Sequence, residues 1–358
     1  MEEFADLCED RLKKFETLLR DPKNVGRRAY VVSSHYDPDS IACVMMTATL
    51  LRSFGFIVEI CLPGKPDNYR QNIKIVEKYH LERDITLLDE AMIKKINPED
   101  LVVFVDTPSV NDARFPAGTL HPNIVIDHHT RPAEMVEKDE EWFWYASCGA
   151  CASMVTKLMI MLGVFKDIKD KELKIIATLG VLGILGDAKK LTSRHTTSFD
   201  YDMVAFLRRY ADQEAINDVS FSEYDESFLD ALGISRDRWE RRGTVLLFRV
   251  DEPHLRGSSE DNILKAAEFL MRIGEVQTLF AWMIQRDKII IKARNYDKSI
   301  SLDSELKRMF GQKNGGAKDN SSGAAFVDLS FFSNPPDGIR NQFLSVCEAF
   351  MRQKIFGK

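Results

Sequence analysis

The stretch Ile124-Val-Ile-Asp-His-His129 sets a carboxylate and two imidazoles side by side at the end of an apolar run. Other apolar runs end in acids too. Leu101–Val105 leads into Asp106, Ala29–Ser33 leads through Ser34, His35 and Tyr36 to Asp37 and Asp39, and Gly183-Ile-Leu-Gly leads into Asp187. Gathered in one crevice, these acids would repel one another unless something cationic sat among them. Carboxylate oxygen with imidazole, and no thiolate, suits borderline-hard divalent ions, Mn²⁺ or Mg²⁺ above all. Two such ions about 4 Å apart can share a carboxylate and activate a water for in-line attack at phosphorus. Each piece alone has a plainer explanation. A single aspartate after a strand commonly caps a helix or closes a turn, Asp37 and Asp39 could both be capping residues, and a lone histidine is often a hydrogen-bonded core residue.

Such residues meet only if the right elements carry them. From Tyr30 to about Ala188, short β-branched runs alternate with amphipathic ones, the pattern of a largely parallel sheet flanked by helices. Strands are expected at Ala29–Ser33, Ile57–Leu62, Leu101–Val105 and Ile124–Ile126. Helices are expected at Ser40–Phe54, Tyr69–His80, Cys151–Leu162, Lys171–Leu185 and Asp200–Tyr210. In open α/β sheets the carboxyl ends of strands border the ligand crevice, so acids far apart in sequence converge there.

Three segments follow from the change of pattern: a domain over residues 1–211, a charged connection over 212–242, and a second, smaller α/β domain over 243–358. In the second domain we expect strands at Val245–Val250, Thr278–Ile284 and Lys288–Ala293, with helices at Glu260–Ile273 and near Ser304–Met309. Gly311–Gly323, rich in glycine and small polar residues, reads as a loop whose backbone N–H groups could approach an anion.

The chain has 358 residues, 44% of them hydrophobic, and a net charge of −6. That balance offers no general field for nucleic acid, and long duplex is an unfavourable partner without a basic stripe. The acidic start does not read as a signal peptide and the longest apolar candidate is too short to span a bilayer, so the expectation is a cytoplasmic protein with no membrane role. The 6 dispersed cysteines read as reduced thiols, and Cys148-Gly-Ala-Cys151, lacking a second pair, as packing.

These motifs resemble those of the DHH phosphoesterases. The likeness rests on Asp37-Pro-Asp-Ser-Ile41, Asp106 before Thr107-Pro-Ser, the triplet Asp127-His-His129, and Gly183-Ile-Leu-Gly-Asp187 followed by Thr192-Ser-Arg-His-Thr-Thr197. The second half resembles the DHH-associated C-terminal domain at Ile290-Ile-Lys-Ala-Arg294, Gly315-Gly316 and Ser322-Gly-Ala324. The resemblance implies an α/β N-terminal domain and a smaller domain capping its cleft. It implies two divalent ions, Mn²⁺ ahead of Mg²⁺, with Asp37 on one, Asp39, His128 and Asp187 on the other, and Asp106 bridging. His129 would face the substrate phosphate and Asp127 would orient the histidines. Arg294, Gly315 and Gly316, with Lys318 and Ser322, would hold a terminal phosphate or the nucleotide.

Two positions depart from the family pattern. Many members carry a histidine four residues before Asp37, where this chain has Ser33; His35 could swing in, or water could complete the shell. The histidine that usually follows the glycines is replaced by Ala317-Lys-Asp-Asn320, so Lys318 could supply the missing cation. The expected activity is hydrolysis of short single-stranded oligonucleotides or small nucleotide phosphoesters, as in oligoribonuclease and 3′-phosphoadenosine-phosphate phosphatase relatives. The alternatives are an exopolyphosphatase- or pyrophosphatase-like hydrolase and a catalytically weakened nucleotide-binding regulator. A homodimer is compatible with the sequence.

Overall fold

The computed structural model describes residues 7–64, 70–111, 120–220, 228, 232, 238–250, 260–285, 287–330 and 339–357. The chain divides into two compact units, Met1–Glu223 and Tyr224–Lys358.

The first unit runs α1 (Glu9–Arg20), β1 (Arg28–Val32), α2 (Pro38–Ser53), β2 (Ile57–Leu62), α3 (Arg70–Tyr79), β3 (Ile85–Leu87), α4 (Glu90–Ile93), β4 (Leu101–Val105), β5 (Ile124–Asp127), β6 (Trp142–Tyr145), α5 (Cys151–Met161), α6 (Asp170–Asp187), α7 (Ser198–Leu207) and α8 (Gln213–Ser220). Its strands form one sheet in the order β3-β2-β1-β4-β5-β6, every pair parallel. The runs are almost continuously apolar because both faces are covered. Ala29, Val31, Val103, Val105, Ile124 and Ile126 pack beneath α2, α5 and α6, while Tyr30, Val32, Val102, Phe104, Val125 and Phe143 pack on the other side with Met92 of α4.

Chain order reverses between β1 and β4, the place where an open parallel sheet leaves a crevice at its carboxyl edge. Helix packing narrows that crevice. α2 is buried on every side from Asp39 to Leu51, and α6 lies against its first turn. The approach needs Gly183, since a Cβ there would come within 2.7 Å of Ala42 Cβ and 3.2 Å of Asp39 Cα. α6 therefore ends with Asp187 close to the start of α2.

The second unit carries β7 (Trp239–Arg242), β8 (Val245–Arg249), α9 (Glu260–Leu270), β9 (Thr278–Gln285), β10 (Lys288–Asn295), α10 (Leu302–Phe310), β11 (Gly315–Asp319), β12 (Ser322–Asp328) and α11 (Arg340–Phe356). The sheet order is β11-β12-β10-β9-β8-β7, with β8 and β9 parallel and the other neighbours antiparallel. One face packs on Ile263, Ala266 and Ala267 of α9, the other on Leu302 and Leu306 of α10 and Met351 of α11.

Several expectations need correction. Gly311–Gly323 is largely a hairpin, not a loop: Gly315 and Gly316 pair with Ala325 and Ala324. Such a glycine-rich strand has little β propensity of its own and is held by its partner and by α10. Packing explains Gly315, where a Cβ would lie 2.6 Å from the Leu306 carbonyl oxygen. The stretch 212–242, read as a connection, holds α8, whose Ile216 and Val219 join the first core, and β7 at an edge of the second sheet. Its residues 221–227, 229–231 and 233–237 lie outside the described residues. β3, β6, α1, β12 and α11 were not anticipated either; β3 and β6 are too short for a periodic signal.

Candidate metal centre

Among the described residues, two groups bring ligand atoms within 4.8 Å of one another: Asp39, His128 and Asp187, and Asp106, His128 and His129. His128 belongs to both, and all five stand at the carboxyl edge of β4 and β5 or on the helices α2 and α6 that face it. Asp37 and His35 are in neither group. Asp37 is the N-cap of α2, accepting the Ser40 N–H at 3.0 Å, and His35 Nδ1 lies 3.3 Å from Ser34 Oγ.

Asp39 is buried, and its carboxylate caps a helix other than its own. Oδ2 accepts the Cys151 N–H at 2.8 Å and Oδ1 the Ala152 N–H at 2.9 Å. α5 has no side-chain cap of its own, so an acid from α2 meets the positive end of α5. Burial pushes the Asp39 carboxyl well above its usual range, and the neighbouring Asp106 and Asp187 push it further.

His128 Nε2 lies 3.5 Å from Asp106 Oδ1 and 3.3 Å from Asp187 Oδ2. Its Nδ1 is 3.1 Å from the Cys148 carbonyl oxygen. A carbonyl only accepts, so Nδ1 carries the proton and Nε2 is the nitrogen turned to the acids. Burial alone would lower the His128 pKa. The Asp106 contact and the charges of Asp106, Asp39 and Asp187 outweigh it and raise the imidazole well above 6.5. The same exchange acts on Asp106: burial raises it, yet His128, His129 and the Ser40 hydroxyl bring it down to about 2.

Asp127 is fully buried, and its Oδ1 accepts both the backbone N–H of His129 and its ring Nδ1, the latter at 2.9 Å. That fixes the His129 tautomer and leaves Nε2 as the ring nitrogen available to another group. Asp127 Oδ2 is buried without a partner. Asp106 stands at φ +50°, a left-handed conformation unusual outside glycine. It is held by its N–H to Ile126 O at 3.1 Å and by the Ser40 hydroxyl, which donates to Oδ2 at 2.6 Å.

Ser33, where many relatives have histidine, is completely buried and donates to Ser40 Oγ at 3.0 Å. Thr107 Oγ1 lies 3.4 Å from Ser33 Oγ and accepts the Ser34 N–H at 2.8 Å. A string of hydroxyls thus steadies Asp106 from behind. Ser40 and Thr107 stand in the motif stretches, but their hydrogen bonds to Asp106 and Ser34 are visible only in the fold.

In the second unit, Arg294 pairs with Ser322 across β10 and β12. Its Nη1 donates to Ser322 Oγ at 2.6 Å and its Nη2 to Glu268 Oε1 at 2.9 Å, leaving only Nε without a partner. Gly315 and Gly316 face α10, with the Ala317 N–H donated to Asp303 at 3.0 Å. Lys318 lies on β11, and its side chain is outside the described residues.

Residues 29–184 match the model of the DHH family, N-terminal domain. They belong to the DHH family. An uncharacterized protein of Methanocaldococcus jannaschii is 27% identical over 330 residues, covering 89% of this chain and 61% of its own length, so this chain spans about three-fifths of that relative. An exopolyphosphatase-related protein from Bacteroides fragilis shares the fold with a TM-score of 0.67 at 16% identity, over 97% of both chains. A putative family II inorganic pyrophosphatase of Methanococcus jannaschii aligns over 87% of this chain and 97% of its own with a TM-score of 0.44 at 15% identity.

The donor set of the DHH domain fits divalent metal ions. Asp39, Asp106 and Asp187 share one imidazole, and the Nε2 of that imidazole lies 3.5 Å from Asp106 and 3.3 Å from Asp187. Cys43, Cys148 and Cys151 lie behind the cluster with thiol pKa values raised by burial, and Cys151 is pushed to about 11. Protonated, buried thiols are packing groups, and the ligands left are oxygen and nitrogen.

Proposed function

We propose that this chain is a metal-dependent phosphoesterase that hydrolyses short single-stranded oligonucleotides or small nucleotide phosphoesters, such as 3′-phosphoadenosine 5′-phosphate or linear and cyclic dinucleotides. The observation that carries the reading is the pair of ligand groups joined by His128 at the carboxyl edge of the sheet. When bound, divalent ions, Mn²⁺ foremost, supply positive charge against phosphate oxygens and acidify water at neutral pH.

The chain's own residues do the rest. Asp39, Asp106, Asp187 and the Nε2 of His128 hold the ions, and Asp37 adds a ligand if its carboxylate turns from the α2 cap. Asp127 keeps the His129 ring fixed, so that its Nε2 presents to a phosphate oxygen without reorganising. Burial of Asp106, beside a His128 side chain only 11% exposed, keeps the local dielectric low and strengthens charge interactions with the phosphate. Arg294, once released from Glu268, would grip a terminal phosphate with its fork.

The test is release of product from short oligonucleotides, 3′-phosphoadenosine 5′-phosphate, cyclic dinucleotides, polyphosphate and pyrophosphate with Mn²⁺, beside Asp106→Ala. Turnover of a nucleotide substrate by the native protein alone is expected. Turnover of polyphosphate or pyrophosphate only would replace the substrate class, and no Mn²⁺-dependent turnover at all would remove the enzyme reading.

A further inference from the structure

Asp200 lies outside every motif that pointed to the metal centre, yet it is completely buried and saturated with donors. Its Oδ2 accepts the N–H groups of Gly149 and Thr197, each at 2.8 Å, and the Thr197 hydroxyl at 3.1 Å. Its Oδ1 accepts Ser153 Oγ at 2.6 Å. Capping α7 accounts for the two Thr197 contacts. It does not account for the bond to Gly149.

The Gly149 N–H belongs to the same peptide unit as the Cys148 carbonyl, and that carbonyl accepts His128 Nδ1–H. In a trans peptide the two groups point in opposite directions, so carboxylate, peptide and imidazole stand in series. We infer that Asp200 is a positioning residue for His128, acting through the Cys148–Gly149 peptide. A carboxylate drawing on the peptide N–H strengthens the carbonyl as an acceptor, since hydrogen bonds in a chain polarise one another. The strengthened carbonyl fixes the Nδ1–H tautomer and makes Nε2 a better ligand, as a carboxylate bound directly to a ligating histidine does. Position 149 is built for this contact: a Cβ there would sit 2.9 Å from Asp200 Oδ2 and 3.0 Å from Ala188 Cβ, so only glycine admits the approach.

The inference rests on His128 being a metal ligand, and two readouts separate the failure of each idea. In metal-free protein with ¹⁵N-labelled histidine, Asp200→Asn and Gly149→Ala are both expected to shift the His128 Nδ1–H resonance and speed its exchange with water. In Mn²⁺ titrations followed by electron paramagnetic resonance, both variants should bind about tenfold more weakly than the native protein. Ser153→Ala, which loosens Asp200 without touching the peptide, should lower thermal stability and leave Mn²⁺ affinity within about twofold. An unchanged Nδ1–H signal in a folded Asp200→Asn or Gly149→Ala protein overturns the relay, as does an equal loss of affinity in Ser153→Ala. If the native protein binds no Mn²⁺, the proposed function fails, while the resonance still decides whether Asp200 acts on His128.

Discussion

The two units each bury charge, but they balance it differently. At the carboxyl edge of the first sheet, Asp39, Asp106 and Asp187 crowd around one imidazole, Asp39 is driven toward protonation, and Asp127 Oδ2 has no partner. In the second unit Arg294 meets a carboxylate and a hydroxyl of its own chain. The first arrangement sets three acids against one imidazole, a donor set that fits a divalent cation. In the second, both Nη atoms are already engaged and only the buried Nε lacks a partner, so a phosphate would have to displace Glu268 to meet the end of the fork. The donor set of the DHH domain thus fits a metal ion as it stands, whereas a phosphate proposed at Arg294 would compete with Glu268.

The largest expected effect comes from removing Asp106, the acid proposed to bridge the ions, which stands 3.5 Å from the imidazole shared by the two ligand groups. Asp106→Ala should lower Mn²⁺-dependent turnover by more than about 10²-fold, a loss of the size seen when a transition-state charge contact is deleted. The companion measurement is thermal unfolding with and without Mn²⁺. A metal at a hundred times its dissociation constant stabilises the native state by about 2.7 kcal/mol, and that increment should vanish in Asp106→Ala. Asp187, about half exposed and repelling Asp39, gives a sharper contrast: Asp187→Asn should lose most of the Mn²⁺ increment while its metal-free melting temperature stays level or rises.

Acid should act next in size. To ligate through Nε2, His128 must lose a proton that Asp106 and its neighbours hold well above the ordinary 6.5, and Asp39 must be ionised although burial raises its carboxyl. Protons therefore compete with the metal. Apparent Mn²⁺ affinity should fall as pH drops from 8 to 6, by up to about tenfold per unit for each proton displaced. A flat profile in isothermal titration would mean that His128 is not a ligand. The metal-free protein should trend the opposite way over this window. A histidine whose folded pKa is raised contributes stability that is complete below its unfolded value and is lost as pH rises through the folded one, so the His128 contribution should weaken in alkali.

How much of this the sequence disclosed follows the same division. β2 and β4 match their expected bounds, and β4, buried along its whole length, stands out as a run because both its faces must be apolar. The acids and histidines at their ends were visible because the reacting groups of a parallel sheet follow its strands. The bonds that Ser40 and Thr107 make were not, although both stand in the motif stretches, because a hydroxyl's partner across the fold leaves no spacing signal along the chain. The second unit was less legible. As sequence, Gly315 and Gly316 read as part of an anion-binding loop, and what distinguishes Gly315, the Leu306 carbonyl lying where a side chain would go, is a contact with another element.

The smallest effects test whether the second unit's balance is structural or a brake on substrate. Glu268→Gln should loosen the Arg294 fork at some expense in stability, since the Glu268 side chain is 43% exposed but the Arg294 side chain only 9%. If Arg294 grips a substrate phosphate, KM should fall severalfold in Glu268→Gln and rise severalfold in Arg294→Ala, with kcat and Mn²⁺ affinity unchanged, because only uniform binding has been altered. If the pair is purely structural, steady-state kinetics will show no change in KM for Glu268→Gln, and Arg294→Ala will only melt earlier. Gly315→Ala separates packing from binding at the same sheet. Its Cβ must push into the Leu306 carbonyl, so it should lower stability by about 1–3 kcal/mol in urea unfolding whether or not phosphate is present. Protection by phosphate in the native protein that is missing in Gly315→Ala would instead restore the anion-binding role that the packing against α10 has taken from it.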